Sequence, residues 1–138
     1  MRKKIWTVIF TSALLILLSV VEQKAVRTLT DEAMARTQTI IQLLKSGENE
    51  QGLERARQMD AWWDEEAPKV EILINHEATD DVRFTLSRLV AALEGGDGKE
   101  ALVFARELEG GMEHVLERQV LSLQNLLKSD FRGGSGHP

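Results

Sequence analysis

The chain has no cysteine, no tyrosine and only two prolines among its 138 residues. Without cysteine there is no disulfide and no attachment point for a lipid, so the fold must be held by packing alone. Scarce proline, with 43% apolar and 28% charged residues, is a helical composition for a single domain. Signatures of chemistry are equally scarce. No serine, histidine and aspartate stand in a nucleophile context, and the glycine clusters lack the strand and the lysine of a phosphate loop. The chain is therefore expected not to be an enzyme and to need no cofactor.

The longest stretch without charge is Ile5 to Val21, which is preceded by Arg2, Lys3 and Lys4 and followed by Glu22, Gln23 and Lys24. At about 1.5 Å per residue this run spans roughly 25 Å, the low end of what a bilayer core needs. The basic start predicts a cytoplasmic N-terminus and an extracytoplasmic remainder. A cleaved signal, leaving a secreted protein, is the alternative. The exit through Ser19-Val20-Val21-Glu22-Gln23-Lys24 lacks the small residues of a cleavage site and favours an uncleaved anchor. All 22 acidic residues follow Val21, against 14 of the 17 basic ones, so the outer part carries a net charge of −8. Such a surface is repelled by nucleic acid and by anionic lipid.

Hydrophobic periodicity predicts an all-α fold: an N-terminal transmembrane helix followed by an antiparallel helical bundle of two helical hairpins. The expected divisions are a cytoplasmic start at 1–4, the anchor at 5–21, the extracytoplasmic helical domain at 22–128 and a disordered tail at 129–138. Val26, Leu29, Ala33, Ile40 and Leu44 form a stripe continuous with the anchor, stopped at Ser46-Gly47. A second helix, bent near Pro68, follows through Leu53, Ala56, Trp63, Ala67, Val70 and Ile74. Asn75 to Asp81 reads as a connection in which Thr79 or Asp80 caps a third helix running to Leu93. Gly95-Gly96-Asp97-Gly98 ends it, and a fourth runs from about Lys99 through Leu127, weakened at Gly110-Gly111. A shift of 49 positions lays Gly47 on Gly96, Leu44 on Leu93, and Leu53, Ala56 and Arg57 on Leu102, Ala105 and Arg106. Two copies of one hairpin, or two unrelated amphipathic hairpins, would both align this way.

Helix lengths put the His76 turn close to the membrane and His114 level with His76. Run straight through Leu127, the fourth helix would enter the bilayer by roughly 20 Å. Its Glu117, Arg118 and Lys128 oppose this, which predicts a bend between Gly110 and Glu117. His76, Glu77, Asp80, Asp81, Glu113 and His114 could gather as ligands for a divalent metal. Helix capping explains the same residues, and His76 to Asp80 lacks the second histidine of a zinc-protease helix, so no metal site is expected and these stay weak candidates. Of Trp62-Trp63, one indole must face away from the core centre, which makes Trp62 a possible interaction surface. The expected partners are the bilayer, through Ile5 to Val21, and an unknown protein or a second copy.

Trp63, Asn75-His76-Glu77 with Asp80, Ser87-Arg88-Leu89, Glu113-His114-Val115 and Ser122-Leu123-Gln124-Asn125 together resemble domain-of-unknown-function family 4363. These are small single-pass proteins of Gram-positive spore formers. The resemblance covers residues 1 to about 128 and implies topology and location without an activity. In the family the second histidine is often followed by Ile-Pro-Glu. Here the matching residues are Val115-Leu116-Glu117, which lack the proline that would enforce a bend.

Overall fold

The computed structural model describes the backbone of residues 1–74 and 76–132, and the side chains of those residues through Arg118 and at Lys128. Asn75, His137, the Gly133-Gly134-Ser135-Gly136 tail and the side chains of Ser122 to Asn125, Leu126 and Leu127 lie outside the described residues. Four helices follow in order: α1 (Arg2–Lys45), α2 (Asn49–Val70), α3 (His76–Glu94) and α4 (Gly98–Arg132). They form an antiparallel ring in which α1 packs on α2 and α4, and α3 packs on α2 and α4.

Because no glycine or proline interrupts it, α1 runs unbroken for 44 residues, about 66 Å. Its first part is long and apolar enough to cross a membrane, with mean hydropathy 2.1 and none of that window buried. From Val26 onward the same helix enters the core through Val26, Leu29, Ala33, Ile40, Ile41 and Leu44. Thr30 and Thr37 are buried too, and each hydroxyl donates to the carbonyl four residues back, at 2.7 and 2.8 Å, so neither polar group is left unpaired. One helix thus links the lipid-suited stretch to the bundle.

The two upper turns are copies of each other. Ser46, Gly47 and Glu48 donate their N–H groups to Gln42, Leu44 and Leu43, and Gly95, Gly96 and Asp97 donate to Ala91, Leu93 and Ala92. These bonds repeat at the shift of 49 seen in the sequence, and both Gly47 and Gly96 take φ +76°, where a side chain would be strained. Core positions repeat with them. Thr30 and Thr79, Ile40 and Leu89, Ala56 and Ala105, Met59 and Leu108, and Trp63 and Met112 are all buried at matching places. The hydrogen bonds and glycine angles are those of a helix end closed by a left-handed glycine, which two unrelated hairpins also share, so the likeness of the two hairpins is one of geometry and of matched buried positions.

Three boundaries differ from the sequence reading. Helix α2 ends at Val70 rather than Ile74, because Leu73 and Ile74 both fold back to the Val70 carbonyl in a turn. Pro68 is carried inside α2, near its last turn. Helix α3 begins at His76, so Thr79 and Asp80 lie within its first turns instead of capping it. Thr79 donates back to the His76 carbonyl at 3.0 Å, and its own carbonyl accepts the Trp63 indole N–H at 3.3 Å. Finally, no interruption of α4 marks the bend expected between Gly110 and Glu117, and the helix continues to Arg132, past the expected start of the tail. Glycine weakens a helix but keeps its N–H, whereas the proline that would remove one is absent.

Candidate functional site

The histidines and carboxylates are divided between two places. At the lower end of α2 and α3, Arg83 is the hub: it donates to Asp64 at 3.1 Å and Asp80 at 3.0 Å, and lies 3.6 Å from Glu71. Glu71 also faces the Thr79 hydroxyl at 3.3 Å and His76 Nδ1 at 3.8 Å. The Asp64 hydrogen bond, followed by the surrounding carboxylates, raises the Arg83 pKa despite some burial. Asp60, one turn away, is raised by burial first and by Asp64 second, with Arg83 opposing. Asp80 and Glu71 are thereby turned toward a guanidinium, and the Asp64 contact fastens α2 to α3. Arg83 played no part in the sequence reading; its only local signal is the Asp80 three residues earlier.

His114 stands apart, exposed on α4 with Nδ1 3.8 Å from Glu117. It shares a groove with Ala78 and Asp81, so α4 does bring it to the level of the start of α3. His76 is likewise exposed, on the Glu71 side. Among the described residues, no three His, Asp or Glu side chains converge where a metal ion could sit. Glu77 and Glu113 are exposed on the first turn of α3 and on α4.

The repeat makes two seams comparable. Between α1 and α2 is a cleft of about 570 Å³ bordered by Leu29, Glu32, Trp62 and Lys69. Trp63 is buried; Trp62, tilted 56° to it at 6.2 Å, is half-buried, and the Arg36 guanidinium stacks 4.6 Å above its ring. Glu32 holds that guanidinium at 2.9 Å. The outer face of Trp62 is thus covered by its own chain.

Between α3 and α4 the equivalent groove is about 640 Å³, bordered by Ala78, Asp81, Gly111 and Arg118 at the positions matching Leu29, Glu32, Trp62 and Lys69. Thr85 replaces Arg36, and a Cβ placed on Gly110 or Gly111 would meet nothing within 4 Å. Phe84, 67% exposed, also borders this groove. Phe84 was also passed over in the sequence, because it falls off the Val82, Leu86, Leu89 stripe; being off the stripe is itself the signal that it faces outward.

No curated protein and no solved structure matches the chain. The sequence profile of the family described as Domain of unknown function (DUF4363) matches residues 20–126, covering the bundle and the end of the apolar run. With the larger part of its length in that match, and with a long apolar helix leading into a helical bundle, the chain belongs to the DUF4363 family.

Proposed function

We propose that this protein is a single-pass membrane protein whose outward-facing bundle acts as a non-enzymatic interaction or structural module at the cell envelope. The observation that carries this reading is the continuity of α1, which is fully exposed along its apolar run and buried in the bundle from Val26 onward. A break between anchor and domain would let the bundle swing freely; an unbroken helix holds it at one height and angle above the bilayer. Arg2, Lys3 and Lys4 support a cytoplasmic N-terminus by the positive-inside rule. The bilayer is the first partner, through Ile5 to Val21, and the second is a protein surface met by the bundle.

The absence of native cysteine makes the test clean. Ser46→Cys, in the exposed upper turn, should react with a membrane-impermeant maleimide in intact cells, and Lys3→Cys only after permeabilisation. The reverse pattern would overturn the orientation. Photo-crosslinking along the bundle in the same membranes should capture a protein, unaffected by chelator. Adducts lost on chelation would favour a metal-dependent role using His76 and His114, and no adduct from any face would remove the interaction reading.

A further inference from the structure

The two seams differ in one respect that points to an occupant. In the first hairpin an indole of the same chain, Trp62, projects at the seam and is itself covered by Arg36. In the second, glycine and threonine stand at those positions, no side chain rises from Gly110 or Gly111, and the groove of about 640 Å³, with Phe84 on its border, takes a group of aromatic size from outside. We propose that the occupant is Phe84 of a second copy, giving a two-fold parallel dimer through the α3–α4 groove. This deepens the interaction-module reading and rests on its membrane anchor.

Anchored copies stand the same way up, so a two-fold axis between them runs along the membrane normal and brings together surfaces of equal height. Counted down from the turn joining Glu94 to Gly98, Phe84 lies about 4.5 Å above Gly111. A helical side chain leans toward the N-terminus of its helix, which in α3 is downward, so the ring descends to the level of Gly110 and Gly111. Each copy then offers one ring and one hollow, as an isologous contact requires.

Charge complementarity supports the same pairing. Arg88 and Glu107 border the groove, and neither takes part in an ion pair among the described residues. Their heights differ by about 4.5 Å, with Arg88 leaning down and Glu107 leaning up, so each can meet its opposite number across the axis. The groove is smaller than a stable interface in free solution needs, but anchoring confines both copies to a plane and raises their effective concentration.

The test uses the full chain in its membrane with p-benzoyl-phenylalanine at position 84. The expected product is a covalent dimer whose crosslink maps to the tryptic peptide 107–118, with no dimer from the similarly exposed position 103 on α4. Gly111→Trp should fill each copy's own hollow, as Trp62 does in the first hairpin, and abolish the dimer without lowering the melting temperature. Should that variant fail to fold, Arg88→Glu should cut the yield several-fold and added Glu107→Arg should restore it. A dimer undiminished by Gly111→Trp or Arg88→Glu, no adduct at position 84, or an adduct only to another protein would overturn the pairing. Retention in alkaline-washed membranes without a dimer strikes the pairing alone. Loss of the wild type from those membranes strikes the anchored reading, and with it the common orientation on which the pairing depends.

Discussion

The two hairpins share their turns and their core and differ on their outer seams. Gly47 and Gly96, Ala56 and Ala105, and Met59 and Leu108 are interchangeable in place and burial. Trp62 and Gly111, or Arg36 and Thr85, are not. The shared positions are those that close a turn or fill the centre of the ring, where volume and backbone angle leave little freedom. The differing ones lie where two helices meet solvent, and there the first hairpin places an indole under a guanidinium while the second has glycine and threonine. A repeat that keeps its core and diverges on one seam separates what holds the fold from what the fold presents.

The largest way to break the symmetry is in the core. Trp63 and Met112 occupy matching buried positions, but only Trp63 also donates a hydrogen bond, to the Thr79 carbonyl of the other hairpin. Trp63→Ala should cost about 3–5 kcal/mol, through lost burial and an orphaned carbonyl, and Met112→Ala about 2–4 kcal/mol. Denaturant unfolding of the full chain in mild detergent measures both. An equal cost would mean that the indole hydrogen bond contributes nothing.

The seam comes next. Trp62→Gly should cost about 2 kcal/mol, from a half-buried indole, its Arg36 contact and the poor helix propensity of glycine. The opposite change, Gly111→Ala, should stabilise by about 0.5–1 kcal/mol, since its Cβ meets nothing within 4 Å. A destabilised Gly111→Ala would mean that the hollow is already filled or strained. The turns sharpen the likeness instead: Gly47→Ala and Gly96→Ala should each cost about 1–2 kcal/mol, and the same amount, because both glycines hold φ +76°. Unequal costs would show that the two turns are alike in geometry and unlike in energy.

Much of this was legible in the sequence. An uncharged run behind three basic residues and a three- and four-residue apolar rhythm led to the long apolar helix and the four helices, and the shift that overlays Gly47 on Gly96 led to the matched turns. Each is a local pattern that backbone geometry reads directly. What was not legible depends on how one helix is rotated against another. Arg83 draws partners from Asp64 on α2, Asp80 on its own helix and Glu71 in the turn between, and no spacing along the chain announces that convergence. Asp80 is drawn to Arg83, whose neighbour Glu71 also faces His76, while His114 stands on the other groove. Thr79 and Asp80 carried a genuine capping signal, yet α3 begins upstream at His76, with Thr79 bonded back to the His76 carbonyl and under the Trp63 indole. Trp62 drew attention as the spare aromatic, whereas among the described residues of the bundle the exposed one is Phe84, two residues past a stripe position.

The smallest expected effect concerns Asp60, on α2 beside the Arg83 hub. Its pKa is raised above the ordinary 3.8, chiefly by burial and then by Asp64. A raised carboxylate binds its proton more tightly in the folded protein than in the unfolded one. It therefore contributes stability that is fully present below pH 3.8 and is lost as pH rises through the higher folded value. At neutral pH the charged Asp60 is a slight liability, and Asp60→Asn should melt at a higher temperature than the wild type. Lowering the pH should shrink that gap as Asp60 takes up its proton in the wild type, even while both proteins lose stability as other carboxylates are protonated. Paired melting curves across the acid range isolate the effect, because every other titrating group is common to the two proteins. A gap that widened toward low pH would mean that Arg83, rather than burial and Asp64, dominates the environment of this carboxylate.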